Sequence, residues 1–400
     1  MNKNIIIEQL INRIYLIVLC FFIFFGYSTI TFSEKNICII LGMLTLAFSM
    51  LKKSNVVFLT KSTKIFLMFV IFSFFSIIYT INLTATTYTL FLIIVCFLIK
   101  IFFENMTINR KIIDDFIKIL LIFSGVHVFS TLIYFVNSSF IQKILPYILT
   151  SDGLAYNLSL FKYGCIAGIT SDHGINAIFI SIFISILSAL ILKKFNFKYL
   201  SLFALGWVAL LLTGKRGPLL ANFIAFVILF MTINKKNPKK IQHFILFCFL
   251  IFVSIMIIKF VPSINFTFQR FQNSNSADQL LNGRESSYKA MIANFNSHFL
   301  IGTGLRSTLT INNNNDGHNI YLQLLSESGI IGFLICNIFF IYNLKAVWKK
   351  KTICSNISLF YQIWFLIYGF SGNPFYYLPT LLIYLLFTNI HFIEEDYLWK

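Results

Sequence analysis

Residues 282–332 read NGRESSYKAMIANFNSHFLIGTGLRSTLTINNNNDGHNIYLQLLSESGIIG. This stretch is the longest polar interruption in a chain that is otherwise built of apolar runs. It contains two arginines, a Gly-Thr-Gly turn, a run of asparagines and His318, which stands at the start of the next apolar run. The contrast between this stretch and its flanks decides the fold. The apolar runs form a scaffold, and long loops on a rigid scaffold tend to carry function.

The composition excludes a soluble domain. Of the 400 residues, 58% are hydrophobic and only 12% are charged, whereas soluble domains carry about 25% charged residues. The apolar runs are close to the ~20 residues that a helix needs to cross a bilayer. The sequence therefore predicts an all-α, polytopic helical membrane protein. It shows no internal repeat and no flexible linker, so residues 1–400 are expected to form a single integral membrane domain.

About twelve membrane-spanning helices are expected. The first apolar run is too long for the core of a signal peptide and has no clear cleavage site, so it is predicted to remain as a helix. Two connections are long, at 138–173 and 262–317, and neither has room for a further soluble domain. The predicted spans are 11–32, 36–51, 64–81, 86–103, 117–137, 174–192, 199–213, 218–233, 243–261, 319–343, 357–372 and 376–392.

Basic residues in every second connection predict the orientation, because cytoplasmic loops of membrane proteins are rich in Lys and Arg. Both termini then lie in the cytoplasm, and both long connections lie on the outer side. This placement accounts for the net charge of +18, so no nucleic-acid partner is expected. The cytoplasmic clusters are Lys52, Lys53, Lys61 and Lys64; Lys100, Arg110, Lys111 and Lys118; Lys193, Lys194 and Lys198; Lys235, Lys236, Lys239 and Lys240; and Lys345, Lys349, Lys350 and Lys351.

The arginines are distributed differently from the lysines. Their planar guanidinium groups bind phosphate oxygens in pairs, which the ammonium group of lysine does not do. Arginines kept on the outer side, against the orientation rule, therefore indicate an anion site there. The alternative is that they pair with loop acids or lipid headgroups. The outer-side arginines are Arg216, Arg270, Arg284 and Arg306.

Lys215 and Arg216 precede Pro218, which suits the first turn of a helix. Arg216 would then lie at a helix N-terminus, where unpaired amides and the helix dipole also attract an anion. One interpretation is a phosphate clamp formed by Lys215 and Arg216. The other is a basic turn between two helices.

Arg284 precedes a pattern of apolar residues at helical spacing. The pattern predicts an amphipathic helix over 286–299 that lies on the membrane surface. Gly302 and Gly304 then turn the chain ahead of Arg306. Arg284 is a candidate anion ligand, and the alternative is that it only reaches the lipid headgroups. The apolar positions are Tyr288, Met291, Ile292, Phe295 and Phe299.

His318 is the candidate general base. With an ordinary pKa of about 6.5 it can accept a proton from a hydroxyl near neutral pH; the alternative is a structural role at a helix start. Glu327 would lie about 13.5 Å deeper along the same helix, where a charge costs about 2.5–3.5 kcal/mol, so a partner inside the bundle is expected. Asp172 and His173 form a second candidate acid/base pair, unless Asp172 only caps its helix.

No metal or cofactor is expected. The outer side has no cluster of acids with the spacing of metal ligands. The seven cysteines are scattered and include no Cys-x-x-Cys pair, which argues against zinc and disulfides.

Two segments resemble the O-antigen ligase and polymerase family of bacterial membrane glycosyltransferases: GRESSYKAMIANFNSHFLIGTGLRS at 283–307 and GHNIYLQLLSESGIIGF at 317–333. Two further segments resemble the family with small differences. In TGKRGPLL, Arg216 resembles a family arginine that usually follows Ser or Thr, whereas here it follows Lys215. In GITSDHGINA, the family more often has Asn where this chain has Asp172 and His173. In order, the family shows Gly-Arg, an amphipathic helix, a Gly-x-Gly turn, and His-Asn-x-Tyr-Leu followed by an acid and a glycine. Here these residues are Gly283, Arg284, Gly302, Gly304, His318, Asn319, Tyr321, Leu322, Glu327 and Gly329.

The resemblance implies a GT-C-like enzyme of the bacterial inner membrane, with its active site in the periplasmic loop 262–317. The implied reaction transfers a glycan, with inversion, from undecaprenyl pyrophosphate to a sugar hydroxyl that His318 activates. Cations that hold the pyrophosphate would stabilise the leaving charge. These are Lys215, Arg216, Arg284 and Arg306. The secondary candidates for the site are Asp172, His173, Asn319 and Glu327.

Within this family the enzyme is a polymerase or a ligase. A polymerase joins the glycan to another lipid-linked repeat unit, whereas a ligase delivers it to lipid A-core. The stretch HNIYLQLLSESG is more similar to the polymerases, so a metal-independent polymerase is the leading expectation. The rival class is a polysaccharide flippase or transporter, which would carry charges and broken helices at mid-membrane. The expected partners are the lipid-linked oligosaccharide, the bilayer, and a chain-length regulator and flippase of the same pathway.

Overall fold

The computed structural model describes residues 3–26, 34–51, 59–106, 110–193, 195–233 and 284–390. Within these ranges every regular element is helical, which confirms the all-α prediction. Helix α1 continues into a π-helix, Phe22–Gly26, and α3 into a short 3-10 turn, Ser76–Ile78. The α-helices are α1 (Lys3–Phe21), α2 (Glu34–Leu51), α3 (Lys61–Phe75), α4 (Leu83–Met106), α5 (Arg110–Val136), α6 (Ser138–Ile148), α7 (Ser151–Lys162), α8 (His173–Lys193), α9 (Phe197–Leu212), α10 (Arg216–Ile233), α11 (Glu285–Ser297), α12 (Thr308–Ile311), α13 (Ile320–Trp348), α14 (Ile353–Tyr368) and α15 (Leu378–Ile390).

Seven helices in the described ranges are long and apolar enough to cross a membrane, and α9, α14 and α15 are shorter apolar helices. Together with α2, they coincide with eleven of the twelve predicted spans. The predicted span 243–261 lies outside the described residues, so the count of twelve stays a prediction. The seven long spans are Ile7–Gly26, Lys61–Ile78, Leu83–Met106, Lys111–Val136, His173–Lys193, Arg216–Ile233 and Ile320–Trp348.

Both long connections contain helices. The first, expected at 138–173, holds α6 and α7. The second, expected at 262–317, holds α11 and α12, and α11 corresponds to the predicted amphipathic helix. Gly283 and Arg270 lie outside the described residues.

The connections that carry the predicted site residues converge at one end of the helix bundle, which we call the site end. The backbone N–H of Ile81 donates to the carbonyl of Thr303 over 3.2 Å. The N–H of Ile320 likewise donates to the carbonyl of Gly369 over 2.9 Å. The site end is therefore a bonded layer of loops over the apolar helices, formed by residues 79–82, 163–172, 213–215, 298–319 and 369–377.

Helix α13 is broken at Gly329, where a φ of 59° and a ψ of −168° depart from helical geometry. The break frees backbone groups that a continuous helix would pair with its own turns. The N–H of Ile330 donates to the carbonyl of Phe299 over 2.8 Å. The next N–H, of Ile331, donates to the carbonyl of Leu300 over 3.2 Å. The segment between α11 and α12 is thereby joined to α13 through main-chain bonds.

The Gly-Thr-Gly turn makes this close approach sterically feasible. Gly302 and Gly304 have φ values of 71° and 95°, a region that residues with a Cβ avoid. A Cβ on Gly302 would overlap the main chain of Glu327. The N–H of Gly304 donates to the carbonyl of Glu327 over 2.8 Å. The Gly-x-Gly pattern in the sequence therefore marks a backbone-to-backbone contact with α13.

We expect Gly329→Ala to destabilise the protein by more than about 2 kcal/mol. The residue has a left-handed φ, and an added Cβ would overlap the main chain of Leu300 and Ile301. The matched control is Gly42→Ala, whose Cβ would meet only Val95 Cγ2 at 3.5 Å. Thermal unfolding of the purified proteins in detergent measures both. Equal melting temperatures for the two variants would contradict the assignment of the break as a packing constraint.

Lys100 is not in a cytoplasmic loop, where the basic pattern places it. It lies inside α4 with its side chain fully buried. Its Nζ donates to Glu104 Oε1 (3.1 Å), Thr388 Oγ1 (3.0 Å) and Asn389 Oδ1 (2.6 Å). Glu104 also accepts from the hydroxyl of Thr60 over 2.6 Å. A buried ion pair with this many hydrogen bonds ties α4 to α15 and to the start of α3.

We expect Lys100→Met to cost about 3–5 kcal/mol of stability, because it leaves the Glu104 carboxylate buried without a cation. The double variant Lys100→Met with Glu104→Gln removes both charges and should recover most of that loss. Unfolding curves in detergent for the single and double variants provide the measurement. A double variant as unstable as the single one would show that the pair does not act as a charge pair.

Candidate functional site

Four segments meet at the site end and carry the predicted site residues. They are the residues just before α8, the turn between α9 and α10, the start of α11 and the loop that runs into α13. Their charges act on one another: His318 is within the electrostatic influence of Arg284, Lys215 and Asp316. We call Lys215, Arg216, Arg284 and His318 the basic cluster.

Lys215 extends over the first turn of α8. A Cβ added to Gly174 would lie 3.0 Å from Lys215 Cε and 3.2 Å from its Nζ, and close to Asp172 Oδ1. Lys215 is therefore the neighbour of Asp172. The same carboxylate oxygen accepts the backbone N–H groups of Gly174 and Ile175, the latter over 3.2 Å. Asp172 thus caps α8, which is the simpler of the two roles that the sequence left open.

His173 fixes the turn that presents Lys215. Its Nδ1 lies 2.8 Å from the carbonyl oxygen of Thr213. Because a carbonyl only accepts, Nδ1 carries the proton and Nε2 is the remaining ring nitrogen. This bond joins the start of α8 to the end of α9.

Arg216 and Arg284 are brought together by a loop that the sequence analysis did not assign to the site. Arg284 Nη1 donates to the backbone carbonyl of Ser371 over 3.0 Å. The residue after Arg216, Gly217, packs so tightly on Ser371 that a Cβ there would overlap the Ser371 hydroxyl. The two arginines therefore flank the same short loop between α14 and α15.

His318 is half-buried and has a left-handed φ of 51°. On one side, Gly317 packs against the sulfur of Met291 in α11. On the other, Asn319 caps α13, with its Oδ1 accepting the N–H groups of Tyr321 (3.1 Å) and Leu322 (3.2 Å). These contacts hold the backbone of His318 in a conformation that non-glycine residues seldom adopt.

Burial and charge favour the neutral form of His318. Desolvation lowers its pKa, and the cations Arg284 and Lys215 lower it further, while Asp316 opposes them. A neutral imidazole is the form that can accept a proton. These surroundings favour a His318 imidazole that is still able to accept a proton at pH values below the ordinary histidine pKa.

Arg306 has a carboxylate partner within the site end. It forms an ion pair with Asp316, and both side chains are largely buried. Its guanidinium carbon lies 5.0 Å from the centre of the Tyr376 ring. Arg306 is thus engaged on both sides by protein groups.

Glu327 has the partner inside the bundle that its depth requires. It is fully buried, and its Oε1 accepts from Gln323 Nε2 over 2.8 Å. Its Oε2 accepts from the hydroxyl of Tyr376. The same tyrosine thus contacts both Glu327 and Arg306.

Three participants were missed by sequence reasoning: Ser371, Tyr376 and Glu34. Ser371 and Tyr376 lie in the loop 369–377, whose sequence GFSGNPFYY is a Gly-, Asn- and Pro-containing break between two apolar runs. Glu34 begins α2 and accepts from Tyr88 OH (2.8 Å) and from the N–H of Leu378 (3.3 Å). The available signal was the position of both segments on the predicted outer side.

No group of three or more His, Cys, Asp or Glu side chains that could hold a metal occurs within the described ranges. The expectation of metal-independent chemistry stays a prediction. The described site contains cations, Arg284 and Lys215, whose charges act on His318.

The described residues thus combine apolar helices, seven of them long enough to cross a membrane, with a basic, histidine-containing cluster at one end of the bundle. Residues 200–336 match the family model described as O-antigen ligase, Wzy_C. The matched segment includes Arg216, Arg284, Arg306 and His318, and it confirms the predicted relation to the O-antigen ligase and polymerase family. It supports a glycosyltransferase-type activity on a lipid-linked oligosaccharide. No curated protein sequence matches the chain.

The pH dependence of turnover tests the assignment of His318 as a base. Its lowered pKa should place the acid limb of the kcat/KM profile below pH ~6.5, the ordinary histidine value. Lys215→Ala should move that limb to higher pH, because it removes a cation that lowers the His318 pKa. The control is Lys289→Ala, an exposed lysine paired with Glu285 at 2.6 Å. A limb that Lys215→Ala leaves in place would count against His318 as the titrating group.

Proposed function

We propose that this protein is a surface-polysaccharide polymerase. It transfers an undecaprenyl-pyrophosphate-linked glycan to a sugar hydroxyl of a second lipid-linked repeat unit. The observation that carries the proposal is the half-buried His318 at the site end, whose pKa is lowered by burial and by the nearby cations Arg284 and Lys215. The family match over residues 200–336 supports the same class of reaction.

The pyrophosphate of the donor is bound by Lys215, Arg216 and Arg284. Arg216 is the first residue of α10, where the helix dipole and unpaired amides add to the attraction for an anion. Arg284 approaches from α11 and is oriented by its bond to the Ser371 carbonyl. Fixed cations of this kind stabilise the charge that develops on the leaving pyrophosphate.

His318 acts as the general base. The acceptor hydroxyl loses its proton to the imidazole while its oxygen attacks the anomeric carbon of the donor glycan. The bond from that carbon to the pyrophosphate oxygen breaks, and undecaprenyl pyrophosphate leaves with the electron pair. Attack from the face opposite the leaving group inverts the anomeric configuration.

The secondary candidates have supporting tasks in this scheme. Asp172 caps α8 beside Lys215, and His173 bonds the Thr213 carbonyl. Asn319 caps α13 directly after His318, and Glu327 is bonded to Tyr376 and Gln323. None of these contacts requires a substrate.

The site end faces the periplasm, and both termini lie in the cytoplasm of the inner-membrane protein. The clusters of lysine in every second connection support this orientation. A lipid with a long polyprenyl chain gains about 0.8 kcal/mol per buried CH₂ and stays in the bilayer, so a site at the end of the bundle is where its headgroup would be found. A chain-length regulator and a flippase of the same pathway are the proposed protein partners.

A ligase that transfers the glycan to lipid A-core is the second candidate. The description of the matching family, O-antigen ligase, favours it. The stretch HNIYLQLLSESG favours the polymerase. The two reactions share the donor and the base and differ only in the acceptor, so one experiment separates them.

The test is a surface-glycan gel of a strain that lacks this gene, complemented with the wild type, His318→Ala or the control Lys289→Ala. A polymerase predicts that deletion leaves core plus a single repeat. A ligase predicts bare core and accumulated lipid-linked chains. His318→Ala should match the deletion, because loss of a general base costs about 10²–10⁴-fold in rate. A normal ladder with His318→Ala would remove His318 as the base and direct attention to Asp172 and His173.

A further inference from the structure

Arg306 lies in a different electrostatic setting from the basic cluster. Its side chain is 17% exposed and that of its ion-pair partner Asp316 is 19% exposed. Desolvation by burial lowers the pKa of Arg306, but Asp316, Glu327 and Tyr376 more than offset it, with a further contribution from Glu34. Several acids therefore already face this one cation. A guanidinium in such surroundings has little attraction left for a pyrophosphate.

The ion pair closes a loop that leads directly to His318. Between Arg306 and Asp316 the chain forms the single turn of α12 and the asparagine run, in which Asn313 and Asn314 both have left-handed φ values. Arg306 itself has a φ of 59°. A loop with this many uncommon backbone angles needs external contacts to keep one conformation.

His318 is two residues beyond Asp316 and is also left-handed, with a φ of 51°. Its position therefore depends on where Asp316 is held. Asp316 is held by Arg306, and Arg306 is held by the Tyr376 ring, whose hydroxyl donates to Glu327 in α13. This chain of contacts runs from the scaffold to the candidate base.

We propose that Arg306 is a positioning residue, which with Asp316 and Tyr376 holds His318 in place, and that it is not a ligand of the pyrophosphate. The proposal rests on the proposed function, in which His318 is the base. It revises the expectation that Arg306 belongs with the anion ligands. In this scheme, the donor pyrophosphate is bound by Lys215, Arg216 and Arg284. Arg306 positions the base, His318.

Measurements of lipid binding and of turnover distinguish an arginine that binds the pyrophosphate from one that positions His318. Undecaprenyl pyrophosphate is titrated into the full-length protein in lipid nanodiscs, and turnover of lipid-linked glycan is measured in the same preparation. Arg306→Gln should lower kcat by about 100-fold, as expected for a base displaced by about 1 Å, and should leave the Kd for the lipid within about threefold of the wild type. The matched control Arg284→Gln should weaken that Kd by about tenfold or more.

The variant Asp316→Asn provides a second test, a shift in the pH dependence of the rate, which a general loss of structure would not produce. The charged groups facing His318 are Arg284, Lys215 and Asp316, so neutralising Asp316 should lower the His318 pKa. The acid limb of the rate profile should move to lower pH while kcat falls. Arg306→Gln and Asp316→Asn should both accelerate amide hydrogen exchange across 312–319 and leave α8 and α14 unchanged.

The outcomes are decisive in either direction. If Arg306→Gln weakens lipid binding as much as Arg284→Gln does, Arg306 is a pyrophosphate ligand and the proposal fails. If exchange across 312–319 is unchanged in both variants, the pair does not hold the loop and the proposal fails whatever the activity. Should the wild type neither bind the lipid nor turn over glycan, the proposed function fails, and the exchange measurement alone then decides whether Arg306 and Asp316 position this loop.

Discussion

The break in α13 is the constraint on which the rest of the site depends. In apolar surroundings a backbone N–H or C=O without a partner is costly, so a helix broken at Gly329 must find partners elsewhere. The carbonyls of Phe299 and Leu300 supply them. The segment that follows α11 is therefore tied into the scaffold by main-chain bonds and cannot be displaced without exposing polar backbone. Arg284, at the start of α11, and the loop to His318 both extend from this attachment.

Under the proposed roles, the distribution of charge at the site end separates the cations that bind the donor from the one that positions the base. Lys215, in the turn before α10, and Arg284, at the start of α11, both act on His318 and lower its pKa. In the proposed function these cations and Arg216 bind the pyrophosphate. Arg306 is surrounded by acids and stacks near Tyr376. A cation that binds an anionic ligand needs positive charge that protein acids do not already compensate. A cation that holds a loop is instead paired with acids of the protein itself. The two kinds of arginine differ in this respect although the sequence presents them alike.

Part of this arrangement could be read from the chain, and part could not. The apolar runs predicted the helices because a span must be apolar over its whole length, and α11 was expected from its apolar spacing. Lys100 was assigned to a loop because a lysine near the end of an apolar run looks like a loop residue. Its burial depends on Glu104, Thr388 and Asn389, and the last two lie far away in sequence. Glu34 was missed for the same reason, since its partner Leu378 belongs to the last described helix.

The sequence by itself indicated a helical membrane protein and placed the candidate base and two of the candidate arginines between residues 282 and 332. Both follow from local properties, namely the length of apolar runs and the residue types that interrupt them. Only the tertiary structure decided which cations act on His318, that Arg306 is paired with Asp316, and why Gly302 and Gly329 must be glycines. Those answers depend on distances between segments far apart in the chain. Such distances are set by how the helices pack, and no pattern within a single segment contains that information.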